Sequence, residues 1–272
     1  MLYLYNLQRK KISALENAYD IIENQKINQV YSLSFKMLKN DLKSEQIQPF
    51  YFVRWENKEE TSDFYQIIKK NLNYSNIDSL TFECQHVINL LSQKSLPTQT
   101  ISGTISQCIN KILSYQSDWK LISSDFSQSF IYFFEKENLL SALYSIPDTI
   151  DDNYFFDFDT SSYPYKLYLK KINLNKKPDL YIRPETNRQS AVQNVDYSQI
   201  ITQIRGYGQG EGENQLKTDI IKADNAHISK YGTREKIIVD RRFTNKETLT
   251  AYCRSILKQY QDPIISYDIT II

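Results

Sequence analysis

Glycine is scarce in this chain. It has 6 Gly in 272 residues, and 4 of them, Gly206, Gly208, Gly210 and Gly212, recur at every second position of one stretch. With only 7 Pro besides, collagen-like and low-complexity classes are excluded. Cysteine is equally sparse. Cys84, Cys108 and Cys253 are odd in number and form no C-x-x-C pair, which excludes a disulfide framework and a zinc ribbon. Each sits in an apolar helical pattern, so buried free thiols and a reducing folding compartment are expected. The 2 His, His86 and His227, lie far apart and outside any metalloprotease or deaminase pattern, so both are read as structural. Charge of one sign is also missing: 33 Lys and Arg against 32 Asp and Glu leave a net +1. No long-range field draws in nucleic acid or anionic lipid, and no specific nucleic-acid binding is expected. No apolar run approaches the ~18 residues of a membrane span, and the apolar start Met1–Tyr5 is too short for a signal segment. A soluble protein made in the cytosol is expected.

Aromatic residues are abundant, with 21 Tyr and 13 Phe. They favour pleated, half-buried surfaces and bias the chain towards strand. Residues 1–35 read as a β-meander, in which Tyr31, Leu33 and Phe35 alternate with Ser32 and Ser34 at a period of two. Strands are expected over 50–55, 62–69 and 77–83, with a charged hairpin turn over 56–60. After Cys84 the period changes. A short helix is expected over 87–93, with His86 in the same helical stretch. A second helix follows Thr104, where Thr104 and Gln107 fit a capping box ahead of the stripe Ile105, Cys108, Ile109, Ile112 and Leu113. Strands over 119–122 and 129–134, a helix over 137–144 and strands over 155–158 and 165–172 come next, and Tyr181 and Ile182 begin an extended segment. The strand 196–204 enters the glycine stretch, and another covers 237–243. Thr244 to Glu247 reads as a second capping box, opening a helix with Leu249, Tyr252, Cys253, Ile256, Leu257 and Tyr260 on one face. Ile265, Tyr267, Ile269 and Ile271 alternate in a last strand, which suggests that further sequence follows. The fold class is α+β, mainly β. Three sections are expected: 1–83, an α+β middle region 84–192, and 193–272.

The search for chemistry returns little. Residues 203–212 do not make a phosphate-binding G-x-G-x-x-G, because the spacing runs by twos and Glu211 and Glu213 add negative charge. A mobile strand–loop junction is the better description. Asp148, Asp151, Asp152, Asp157 and Asp159 form an acidic stretch, but EF-hand spacing is absent and strand-forming aromatics interrupt it. The same carboxylates suit an acid–base pair only if they meet in a cleft. Tyr163, Tyr165 and Tyr168 are candidates for stacking sugars or bases, against the plainer role of cross-strand or interface packing. No catalytic residue, cofactor or metal is assigned.

Several blocks in order resemble the phage minor tail proteins called tail-associated lysins or prophage tail endopeptidases, a family similar in fold to baseplate hub proteins. They are the opening Met1–Asn6 with Lys11–Ala18, the strand Tyr31–Phe35, Thr104–Leu113 with Trp119, Leu139–Tyr144, and above all Val195–Gly208. Tyr231-Gly232 and the final helix and strand continue the match. The resemblance implies tube-like β-barrel subdomains, 1–83 and 193–272, around an inserted α+β region. It implies a homotrimeric ring at the virion tail tip, joined to a distal tail protein, a tape-measure protein and a downstream fibre or receptor-binding part. In that setting Gly206, Gly208, Gly210, Gly212, Tyr163, Tyr165 and Tyr168 are loop or interface candidates. A cell-wall hydrolase or endopeptidase and a carbohydrate-binding receptor module remain as alternatives.

Overall fold

A computed structural model describes residues 1–56, 62–74, 78–173, 182, 186 and 188–271. The chain opens with β1 (Leu2–Tyr5), β2 (Lys11–Ala14), β3 (Tyr19–Asn24) and β4 (Ser32–Leu38), then one helical turn, α1 (Leu42–Glu45). Next come β5 (Phe52–Glu56), β6 (Ser62–Asn73) and β7 (Ser79–His86). These seven strands make one antiparallel sheet in the order β2-β1-β5-β6-β7-β4-β3. Among the described residues the sheet stays open, with β2 and β3 at its edges. The alternation in the sequence decides what it buries. Leu33, Phe35 and Met37 of β4 face inward and meet Leu80, Phe82 and Cys84 of β7. The Phe35 and Phe82 rings stack at 5.0 Å. Truncating either ring to Ala should cost about 3–5 kcal/mol through lost transfer energy and the cavity left behind.

The middle region begins with a 3₁₀ helix, Val87–Gln93, followed by β8 (Ser95–Leu96), β9 (Gln99–Thr104), α2 (Ile105–Leu113), β10 (Trp119–Ser124) and β11 (Ser129–Phe134). β12 (Glu137–Asn138), α3 (Leu139–Ser145), a 3₁₀ turn Pro147–Thr149, β13 (Tyr154–Asp159) and β14 (Tyr165–Lys171) complete it. The capping box at α2 forms as expected: Gln107 N–H donates to Thr104 Oγ1, and Thr104 N–H donates to Gln107 Oε1. The whole α2 stripe is buried. β14 is the centre of a three-stranded sheet, parallel to β10 and antiparallel to β13.

The last region holds β15 (Arg188–Asp196), β16 (Gln203–Tyr207), β17 (Ile221–Lys222), α4 (Asn225–Tyr231), β18 (Glu235–Val239), α5 (Lys246–Tyr260) and β19 (Ile264–Ile271). The amphipathic α5 packs on β16, and Leu249, Cys253 and Leu257 join one apolar core that reaches back to Phe52 and Phe64 of the first sheet.

Several expectations are corrected. The strand 196–204 is broken: β15 ends at Asp196, β16 begins at Gln203, and a turn fills the gap. Buried Thr202 anchors that gap by donating to the Gly232 carbonyl and accepting from Arg234 N–H. The cap of α5 is Asn245, not Thr244, because the Asn245 carboxamide accepts from Glu247 and Thr248 N–H. The strand placed at 237–243 stops at Val239, where Asp240 turns the chain. His86 ends β7 rather than lying in a helix, and its Nδ1 accepts from Ile88 N–H to cap the 3₁₀ helix. Helix α4, capped by Asp224, was hidden in a polar stretch. The hairpin turn beyond Glu56, Ile77 and Tyr181 lie outside the described residues.

Candidate functional site

The glycine stretch divides into two halves with different physics. Gly206 lies inside β16, the central strand of the sheet β17-β16-β18. A Cβ there would stand 2.5 Å from Cys253 Sγ and 3.2 Å from Leu249 Cδ1, so this glycine lets α5 approach the strand. Gly208 is held between two neighbours: its N–H donates to the Leu216 carbonyl, and Gln209 N–H donates to the Phe243 carbonyl. Only then does the chain turn, with Gly210 at φ 102° and Gly212 at φ 58°. The stretch is thus tied down as far as Gln209, and the conformational freedom is confined to the turn.

The tyrosines do not share a surface. Tyr165 is 2% exposed and points into the core with Leu167 and Leu169, whereas Tyr168 points the other way. Tyr163, 52% exposed, joins Tyr165 in a knot around Arg9. The Arg9 guanidinium lies 4.3 Å from the Tyr163 ring centre and donates to Asp118 Oδ1 at 2.8 Å and to Tyr165 Oη at 3.1 Å. The Tyr163 hydroxyl also donates to Asp118 Oδ1, at 2.8 Å. Burial would raise the Asp118 carboxyl, but these donors and nearby Lys94 hold it below the usual carboxylate range. The knot fastens the β1–β2 turn of the first sheet to the middle region.

The acidic stretch is also compensated. Asp157 pairs with Lys170 at 2.5 Å, Asp159 with Lys166 at 2.9 Å, Asp152 with Lys171 at 2.9 Å and Asp151 with Lys258 at 3.2 Å. Asp148 stands apart. Among the described residues it has no lysine partner, and burial pushes its carboxyl up to about 6. His86 is fully buried among Tyr31, Tyr65, Trp119 and Phe158, and burial pushes its imidazole down to about 3. His227 is held by Asp224 at 2.7 Å and Asp262 at 3.3 Å. Among the described residues no group of three His, Cys, Asp or Glu is placed to hold a metal ion.

One surface was not foreseen. Among the described residues β15 and β19 pair only with each other, and over 189–196 and 264–270 their side chains are exposed on both faces. The register makes this ribbon amphipathic. Ala191, Gln193 and Val195 share one face with Ile265, Tyr267 and Ile269, while Ser190, Val192 and Asn194 share the other with Ser266, Asp268 and Thr270. Ile265 is 52% and Tyr267 59% exposed. A lone two-stranded ribbon is at best marginally stable in water, so a face of this kind needs a cover. The alternation of β19 was the signal in the sequence, but its pairing with β15 was not visible there.

Residues 176–272, which include the ribbon, match the family model described as prophage endopeptidase tail. The prophage tail protein gp18 of Listeria monocytogenes EGD-e superposes with a TM-score of 0.67 at 16% identity, over 98% of this chain and 80% of its own. The chain has the fold of prophage tail proteins. The tail protein of Neisseria meningitidis MC58 gives a TM-score of 0.62 at 13% identity, covering 99% of this chain and 79% of that one. The 43 kDa tail protein of prophage MuSo2 from Shewanella oneidensis gives 0.59 at 11% identity, covering 99% and 82%. No curated protein sequence matches the chain. This prophage-tail fold is mainly β, and among its described residues no helix is long and apolar enough to cross a membrane.

Proposed function

We propose that this chain is a structural hub protein of the tail tip of a siphophage or prophage. Three copies form a ring that closes the tail tube and carries host-recognition or lytic parts below it. The exposed apolar face of the β15–β19 ribbon carries this reading, because it lies inside the segment that matches the prophage tail family. Covering Val195, Ile265, Tyr267 and Ile269 on assembly would contribute about 1 kcal/mol for each of these half-exposed side chains. Residues 1–83 and 193–272 supply tube-like β-barrel parts of the ring, and 84–192 the α+β region between them. The adjoining partners are a distal tail protein, a tape-measure protein and a downstream fibre or receptor-binding protein. Glu211, Gly212 and Gln215 at the glycine turn are exposed or partly so, which suits a contact at one face of the ring. The segment itself is structural and not a peptidase.

Light scattering across a concentration series tests the ring. A trimer, or a concentration-dependent approach to one, is expected for the wild-type chain, and the Ile265→Asp/Tyr267→Asp variant should stay monomeric. A wild-type chain that is monomeric at every concentration, or a variant that trimerises equally well, would overturn the proposal. Incubation with peptidoglycan should release no soluble fragments; release would instead favour the endopeptidase alternative.

A further inference from the structure

The cleft beside Asp148 is a second feature, independent of the hub reading. It lies between the β3–β4 turn, the 148–154 segment and the C-terminal half of α5, and encloses 810 Å³. Small-molecule sites typically span about 300–1,000 Å³. Its walls are fixed before any ligand arrives. The Asn28 carboxamide donates to the Tyr154 carbonyl and accepts from Phe156 N–H, both at 3.0 Å, and so holds the turn against the edge strand β13. On α5, Ser255 Oγ donates to the Asp148 carbonyl at 2.5 Å and Lys258 Nζ to the Asp151 carbonyl at 2.6 Å. One face of the helix is thereby clamped to the 148–151 turn.

The lining has a specific chemistry. Tyr154, Tyr252 and Tyr260 supply aromatic surface, and Gln259 and Asn153 supply amides. The charges cancel locally. Asp151 is paired with Lys258, Asp152 with Lys171, and Lys236 Nζ sits 5.3 Å from the Tyr260 ring centre. Arg242, whose charge favours the ionised Asp148, is forked onto Asp240 through Nε and Nη2, at 3.0 and 2.6 Å. Among the described residues Lys236 is the one lining lysine without a carboxylate partner and Asp148 the one lining carboxylate without a lysine, so a charged ligand of either sign would meet one like charge as well as one opposite. Asp148 itself keeps acceptor capacity. Its Oδ1 receives only a 3.4 Å contact from the Tyr154 hydroxyl, and among the described residues nothing donates to Oδ2.

We propose that this cleft binds a neutral saccharide. A sugar presents C–H faces to the tyrosines and hydroxyls that both donate and accept, which suits Asp148, Gln259, Asn153 and Lys258 together. An apolar ligand would strand those polar groups, at a cost of about 1–3 kcal/mol for each one desolvated without a partner.

Saturation-transfer NMR on the full chain tests the proposal, with maltotriose and triacetylchitotriose as neutral probes and glucose 6-phosphate and glucosamine as charged ones. Transfer to at least one neutral trisaccharide is expected, with weak or no transfer to the charged sugars. Preference between the two trisaccharides would tell a plain hexose polymer from an acetamido glycan, and either result supports the site. Gln259→Trp fills the cleft from an exposed helix position and should reduce the signal at least fivefold. Tyr260→Ala should reduce it too, and unchanged melting of Gln259→Trp would show that the fold is kept. No transfer from either trisaccharide, preference for a charged sugar, or full transfer in Gln259→Trp would each overturn the inference.

Discussion

Replacing Gly206 by Ala tests whether the glycine stretch is tight packing or slack. Gly206 is an ordinary strand residue without a positive φ, so alanine meets no backbone strain there. On conformational entropy alone Gly206→Ala would stabilise by about 0.4–1 kcal/mol, because it restricts the unfolded chain. Packing reverses the sign. The new methyl would stand 2.5 Å from Cys253 Sγ and 3.2 Å from two Leu249 atoms. Both side chains are fully buried on α5, so neither has space into which to turn. Overpacking of this kind costs about 1–3 kcal/mol. The net expectation is a loss of about 1–2 kcal/mol, or a melting temperature lower by about 2–8 °C for a chain of this size. Cys253→Ala removes the nearest obstacle. In the double variant the two losses should fall short of their sum by about 0.5–3 kcal/mol, as expected for residues in contact. Thermal melting of the four proteins measures the cycle. If Gly206→Ala melts at or above wild type, or the two effects simply add, the close approach of α5 to β16 is not what requires this glycine.

Other perturbations have signs set by the same structure. Asn245→Ala removes the acceptor for Glu247 and Thr248 N–H and should lower stability by about 1 kcal/mol in urea unfolding, whereas Thr244→Ala should leave it nearly unchanged. The Asp63 carboxyl is pushed up to about 6 by burial first, and then by Glu23 and Asp157. The folded state therefore holds this proton more tightly than the unfolded chain, and its stabilising contribution is complete below about pH 4 and lost as pH rises through about 6. Asp63→Asn should match wild type near pH 4 and exceed it by about 1–3 kcal/mol at pH 7; a constant gap across that window would refute the assignment. The hydrogen bond that the His227 ring donates to Asp224, with further help from Asp262, raises His227 above an ordinary histidine. Its ring resonances should titrate above the usual range and move back down in Asp224→Asn; no movement would mean that this contact does not form in solution.

Local pattern made much of the fold legible. The stripe Ile105, Cys108, Ile109, Ile112 and Leu113 announced α2, and Thr104 with Gln107 announced its start, because capping and helical burial both act within about one turn. The alternation around Leu33 and Phe35 announced β4 in the same way. Helix α4 escaped notice because it buries no residue and so leaves no apolar stripe. Tyr163, Tyr165 and Tyr168 could be named but not sorted, since their surroundings come from Arg9 and Asp118, far away in the chain.

By itself the sequence determined the α+β, strand-rich character, the buried thiols and the amphipathic faces of α2, α5 and β19. These depend on periodicity and residue chemistry over a few neighbours. Tertiary structure alone decided that β19 pairs with β15 and leaves an apolar face uncovered, that Gly206 lies beneath Cys253, and that Asn28, Asp148 and α5 enclose one cleft. Each of these joins segments tens of residues apart. A local period states that a face will be buried, but the partner is chosen by how the whole chain closes on itself.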